Sequence, residues 1–241
     1  MVGLTTKCRL EPYLRLSETV PGWTRGEEAR DLLRIGYSLS AGAVLVEIGS
    51  FFGASAILLA GSRQVRGSGL VHCIDPFDCS GDSFSVPHYR RILEEHGGGS
   101  PRDHFETNIR AASLGPWVRI HQGVADEVAR SWITPIDFLF LDGDQSRNGA
   151  REAYNSWEPF LKGGGIIAVH NSAPENYRNE HDGHRNIVEE EAKPRQIDSF
   201  RRVTAAASDR APSTLPPRRQ QDIPSYRLRE TAYAFSSIKT G

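Results

Sequence analysis

Glu47, Gly49 and Gly53 fall at the spacing E-x-G-x-x-x-G, behind the apolar run Val44-Leu-Val and ahead of the run Ala54-Ser-Ala-Ile-Leu-Leu-Ala60. Such a segment reads as a buried strand, a tight turn and a helix packed back on the strand. Gly49 lets the chain turn sharply and gives a ligand close access to the backbone, and Gly53 lets the helix approach the sheet. The unpaired N–H groups of the helix's first turn face whatever lies above the strand, with the positive end of the helix dipole. That chemistry suits a nucleotide-like ligand. A dinucleotide turn carries three glycines, G-x-G-x-x-G, beneath a pyrophosphate. Here Glu47 takes the place of the first glycine. Its carboxylate would repel pyrophosphate but suits a cationic amine or sulfonium. A plain strand–turn–helix with no ligand is the alternative.

Other polar residues end apolar runs in the same way. Asp75 closes Leu70-Val-His-Cys-Ile74, Asp142-Gly-Asp144 closes Ile136–Leu141, and His170-Asn171 closes Ile166–Val169. An acid at the Asp75 position can take both hydroxyls of a ribose, or it can cap the next turn. His181 and His184 lie in a polar loop and helix start, where exposure to solvent is expected. Arg218-Arg219 reads as a solvated loop rather than a phosphate site.

The elements that must position these residues follow from periodicity. Thr24 and Glu27 form a capping box for a helix to about Leu39. Strands are expected over about Val44–Ile48, Leu70–Ile74, Trp117–Gln122, Ile136–Leu141 and Ile166–Val169. Helices are expected from Gly53 to about Ser62, near Tyr89–His96, and over about Arg102–Ser113, Ala125–Ser131, Arg147–Leu161 and His184–Ala192. Gly163-Gly-Gly165 marks a helix end. Phe200–Ala205 and Tyr226–Ser237 add a sixth and a seventh strand. This alternation predicts an α/β fold: a doubly wound, mostly parallel seven-stranded sheet with helices on both faces. One domain over 1–241 is expected, with a helical cap over 1–40, an excursion over 78–101 and a mobile loop over 206–224. In such a sheet the ligand crevice lies outside the carboxyl ends of the strands, where the polar residues cluster.

The segments Phe138-Leu-Phe-Leu-Asp142-Gly-Asp144-Gln-Ser and Trp157-Glu-Pro-Phe-Leu-Lys-Gly-Gly-Gly-Ile-Ile-Ala-Val-His170-Asn171 carry a resemblance. With the turn at Glu47, they resemble the class I S-adenosylmethionine (SAM) dependent methyltransferases. Within that class they are similar to the bacterial small-molecule, sugar- and antibiotic-tailoring O-methyltransferases, and to the metal-dependent catechol-type enzymes. The resemblance covers about Trp23 to His184 and implies a Rossmann-like fold. It implies SAM held by Glu47, Gly49, Ser50, Gly53, Ser55, Asp75, Phe77, Gly123, Val124, Ala125 and Asp142, with Asp75 on the ribose and Phe77 flanking the adenine. It implies His170 or Asp144 as the base, and it sets His181 and His184 at the border of the acceptor pocket, where either, or Asp144, would be the base if His170 held a metal. Two departures stand out. Gln145 replaces a histidine of the family pattern, and His170-Asn171 stands where the pattern has histidine-aspartate or, in the catechol-type enzymes, aspartate-asparagine. The resemblance also raises a divalent metal on Asp142, His170 and Asn171. One carboxylate, one imidazole and one amide suit manganese, iron or zinc better than magnesium. A strand-end histidine bonded to its own loop is the other reading of His170.

The implied activity is SAM-dependent O-methylation of a small polar acceptor such as a sugar, glycoside, phenol or natural-product intermediate. A metal-dependent hydroxylase on the same scaffold and a non-catalytic SAM-binding module are the alternatives. Composition agrees with a small-molecule enzyme: 241 residues, 38% hydrophobic, 24% charged and a net charge of -1 give no electrostatic footprint for nucleic acid. No apolar run reaches the ~20 residues of a membrane span. The three cysteines match no zinc spacing, and the first residues lack a signal-peptide core, so a reduced, cytoplasmic protein is expected. A homo-oligomer is left open.

Overall fold

A computed structural model of the chain describes residues 2–173, 180–192 and 231–234. The elements run α1 (Val2–Thr19), α2 (Gly26–Ser38), β1 (Val44–Ile48), α3 (Ala54–Arg66), β2 (Leu70–Asp75), α4 (Val86–Glu95), α5 (Pro101–Ala111), β3 (Val118–Gln122), α6 (Ala125–Ala129), β4 (Ile136–Leu141), α7 (Arg147–Trp157), β5 (Leu161–Val169), α8 (Gly183–Ala192) and β6 (Thr231–Ala234). The strands form one sheet in the order β3-β2-β1-β4-β5-β6. Every pairing is parallel. The doubly wound, Rossmann-like class is as expected, but the described sheet has six strands rather than seven. The strand expected over Phe200–Ala205 and the loop over 206–224 lie outside the described residues. Of the strand expected over Tyr226–Ser237, β6 is the described part. No helix among the described residues is long and apolar enough to cross a membrane.

The strands are near-continuous apolar runs because helices cover both faces. On one face Leu45, Val71, Cys73, Phe138, Phe140 and Ala168 pack against α1, α2, α3 and α5. On the other, Val46, Ile48, Ile74, Leu139, Leu141, Ile167 and Val169 meet Trp132, Trp157 and the α6–α8 layer. Side chains alternate along a strand. Glu47 therefore shares a face with Leu45, Asp142 with Phe140, and His170 with Ala168. All three polar residues open toward the α2–α3 layer.

Several local expectations change. The α2 helix begins after Arg25, whose side chain makes no cap bond, so Thr24 and Glu27 do not form the capping box. Thr24 is instead buried. The glycines Gly163–Gly165 do not end a helix but lie within β5, whose register shifts there against β4. Within the helical cap expected over 1–40, the bounds of α1 were not legible in the sequence: it carries Pro12 inside and no strong apolar stripe. It packs on α3, as α2 does. Arg63 of α3 binds this layer together, fully buried, donating to the carbonyls of Gly36 (2.6 Å), Ser40 (2.8 Å) and Ser68 (2.8 Å). It thereby caps the end of α2 with a cation.

Candidate active site

Backbone hydrogen bonding continues past the strand ends. Gly49 N–H donates to the Ile74 carbonyl (2.9 Å), Asp142 N–H to Ile48 (2.8 Å), His170 N–H to Leu141 (3.0 Å) and Gly123 N–H to Asp75 (3.0 Å). These extra rungs fix the polar residues in a row at the carboxyl edge, where β1 and β4 meet and the strand order reverses. Gly49 has a left-handed φ of 88°. A Cβ there would lie 2.3 Å from the Asp142 carbonyl oxygen, so this glycine closes one turn against the other. Above the row lies a cavity of about 920 Å³. Gly49, Ser50, Ser55 and Asp75 line one side, the turn Gly123–Ala125 the far side, and Asp142 the floor.

Three residues expected in the cofactor site stand behind this wall. Gly53 takes a left-handed φ of 93° at the N-cap of α3, and a Cβ there would lie 3.0 Å from the Phe105 ring of α5. Its role is that junction rather than contact with the sheet. Phe77 was expected to flank the adenine. Its own positive φ of 56° goes with a ring buried in the core against Phe105, at 5.4 Å. Val124, half exposed on the far wall, is the apolar surface that faces the cavity. Glu47 is fully buried below the wall. Its Oε2 accepts from the Ser50 hydroxyl at 2.6 Å, while Oε1 is buried with no hydrogen-bond partner. Burial raises its carboxyl to about 7, against the pull of Ser50.

Asp75 does line the cavity, but its oxygens are largely committed. Oδ2 accepts from the N–H groups of Ser50 and Phe51, both at 2.8 Å, and Oδ1 from Phe77 N–H at 2.6 Å. A carboxylate offers about four acceptor sites. One remains, which allows a single bond to a ribose hydroxyl and not the bidentate pair. Of the two sequence readings, the cap on the next turn is the one the geometry fills. Burial raises this carboxyl too, against those backbone bonds.

Asp142 and His170 come together across β4 and β5. His170 Nε2 lies 3.7 Å from Asp142 Oδ1, and its Nδ1 lies 2.7 Å from Oε1 of Glu28 on α2. The imidazole is thus held between two carboxylates. Burial pushes Asp142 up to about 8, His170 opposes this, and Glu28, Glu47 and Asp75 reinforce it. Glu28 was not legible as a site residue. Its one signal is a charge four positions before Leu32, on the stripe that Ala29, Leu32 and Leu33 bury. Asn171 is not aimed at Asp142. With a left-handed φ of 52°, it donates from Nδ2 to Gln145 Oε1 at 3.1 Å, beside His181 Nε2 at 3.5 Å. Among the described residues no group of three or more His, Cys, Asp or Glu is arranged to hold a metal ion. Of the three donors raised for a metal, Asn171 is turned to Gln145 rather than toward Asp142 and His170.

Asp144, the other expected base, faces the start of α7: its Oδ1 accepts from Ser146 N–H at 2.8 Å, and its carboxyl lies against Gly149. It does line the cavity. His181 and His184 are buried, contrary to the exposure expected of a polar loop. The His184 Nδ1 sits 2.8 Å from the His170 carbonyl, and burial lowers this imidazole to about 3. His181 pairs with Asp82 of the excursion, Nδ1 to Oδ1 at 3.0 Å. Asp82 left no signal in its Gly/Ser-rich stretch. Over the mouth, Trp23, Phe51 and Tyr89 form an aromatic wall, with centroids 5.1–5.9 Å apart. Tyr89 is raised by burial and by the nearby Asp142.

Residues 46–172 match the model of a family described as a methyltransferase domain. In fold the chain is similar to an O-methyltransferase from Bacillus cereus in complex with SAH, at 20% identity and TM-score 0.52 over 77% of this chain and 79% of that one. It is similar to the O-methyltransferase TomG from Streptomyces achromogenes, involved in tomaymycin synthesis and in complex with SAM, at 18% identity and TM-score 0.51 over 77% and 78%. It is similar also to the SAH-bound methyltransferase PaMTH1 of Podospora anserina, at 13% identity and TM-score 0.52 over 80% of each chain. At these identities the likeness is one of fold.

Proposed function

This chain belongs to the methyltransferase-domain family, and on that premise we propose that it transfers the methyl group of SAM to a hydroxyl oxygen of a small polar acceptor, such as a sugar, glycoside or phenol. The observation that carries the reading is the acidic floor of the crevice. Asp75 and Asp142 line one end of it, with Glu47 behind the wall and Glu28 behind His170, and burial raises the carboxyls of Glu47, Asp75 and Asp142. Such carboxyls favour a cation, because ionising beside one relieves their desolvation. A pyrophosphate would meet repulsion there. The cavity, at about 920 Å³, suits a nucleoside with a small second molecule.

When bound, SAM supplies an electrophilic methyl carbon on a positive sulfur. The protein's work is then to hold the two reactants in line and exclude water. On this reading Asp142 faces the cationic part, Ser50, Ser55 and Asp75 take the sugar side, and Val124 covers the base. The aromatic wall of Trp23, Phe51 and Tyr89 offers flat apolar surface to the ring of an acceptor. His170, clamped by Glu28, lies beside Asp142. The chain reads as one domain, in which the turn between α1 and α2 and the 78–101 excursion complete the site.

Calorimetry with SAM, SAH and NAD tests the cofactor, and transfer of labelled methyl from SAM to catechol or to methyl glucoside tests the reaction. Binding of SAM and SAH without NAD, followed by transfer, is expected. Tight NAD binding with no SAM binding would sink the reading.

A further inference from the structure

Deprotonation of the acceptor needs a base near the crevice floor, and His170 is already held between two carboxylates. Gln145 has no titratable group. Resting on the methyl-transfer reading above, we propose that His181 is the catalytic base, with Asp82 as its positioning residue. The pair is drawn from two separate segments, the excursion before α4 and the loop before α8. Both side chains are buried, and the His181 ring lines the cavity together with Gln145 and Asn171.

The hydrogen bonds set the tautomer. Nδ1 faces Asp82 Oδ1 at 3.0 Å, so in the neutral ring it carries the proton and Nε2 the lone pair. Asn171 Nδ2, a donor, lies 3.5 Å from Nε2. Asp82 is itself held in place. Its Oδ1 accepts from the N–H groups of Phe84 (3.1 Å) and Ser85 (3.0 Å), and its Oδ2 from Gln145 N–H (3.3 Å). The Phe84 ring packs on the imidazole at 4.6 Å. Burial alone would raise Asp82, but the hydrogen bond and charge of His181, with Ser85, bring it down to about 2. It is therefore a carboxylate at any working pH. His184, another titratable group coupled to the ring, is kept neutral by burial.

In the step, the acceptor hydroxyl gives its proton to Nε2 of His181. The oxygen forms the new bond to the methyl carbon, and the carbon–sulfur bond breaks with its electron pair left on sulfur. The imidazolium that results is stabilised by Asp82, and its proton returns to solvent after the methylated product leaves.

Two readouts test the dyad. The first needs no turnover: nitrogen NMR of the His181 ring, with and without SAH. Nδ1–H with a bare Nε2 is expected in wild type, and a changed tautomer in Asp82→Asn, whose amide can donate to Nδ1. An Nε2–H tautomer in wild type, or no change in the variant, overturns the proposal. The second is methyl transfer to catechol from labelled SAM. His181→Ala and His181→Asn should lower kcat by ~10²–10⁴-fold. Asp82→Asn should lower kcat more than it raises KM and should shift the pH profile, with SAH affinity unchanged in each. A near-normal kcat in both His181 variants overturns the dyad. Loss of SAM binding in wild type counts instead against the methyl-transfer reading, and the NMR result still decides the pair.

Discussion

Glu47 shows what a fully buried carboxyl costs the fold. Burial lifts it from 4.5 to about 7. Between those values the folded protein keeps a proton that the unfolded chain releases, so this residue lowers stability as pH rises from 4.5 through about 7. Glutamine does not titrate. Glu47→Gln should therefore gain on wild type across that window, by roughly 2–3 kcal/mol at its upper end. Urea unfolding at pH 5 and pH 8 checks this, and an equal difference at both values would show that the carboxyl titrates normally. Asp75 points the other way. Asp75→Ala frees three backbone N–H groups of the turns beside it, so a loss of about 3 kcal/mol in stability is expected. Unchanged unfolding with weakened SAM binding would restore the ribose role read from the sequence. At this scale Glu47, Asp142 and His170 were legible because polar residues ending apolar strands need a reason. Glu28 and Asp82 were not, since each acts through a histidine far away in the chain. No local pattern records such a pairing.

Among the elements, the strands were legible because burial on both faces writes them as contiguous apolar runs. The misread parts are those where tertiary packing overrides local preference. The glycines of β5 look like a helix end, yet pairing with β4 draws the segment into the sheet. The α1 helix has little pattern of its own and is placed by α3. Arg63 ties α3 to the end of α2 and to the turn before β2 through their carbonyls. Arg63→Met should leave those carbonyls unsatisfied and cost about 3 kcal/mol or more. Arg63→Lys should recover little, because one ammonium does not span three acceptors as a guanidinium does. Denaturant midpoints for the two variants test this, and a fully stable lysine variant would show that charge alone suffices.

For the molecule as a whole, the cavity is lined by residues from Pro21 to His181, nearly the full described length. Since Asn171 is turned from Asp142 and His170 toward Gln145, methyl transfer should survive a chelator. Activity abolished by chelation and restored by one added metal would show that ligand binding rearranges these side chains. The row of backbone bonds beyond the strand ends has its own consequence. Gly49, Asp142 and His170 donate their amides to neighbouring strands as if still inside the sheet. Deuterium can replace those protons only when the sheet itself parts. In heavy water these three amides should exchange about as slowly as those of Val46 and Leu139, while the exposed turn around Val124 exchanges early. A mobile loop usually carries chemistry at the cost of exact aim; here the reactive edge keeps time with the core.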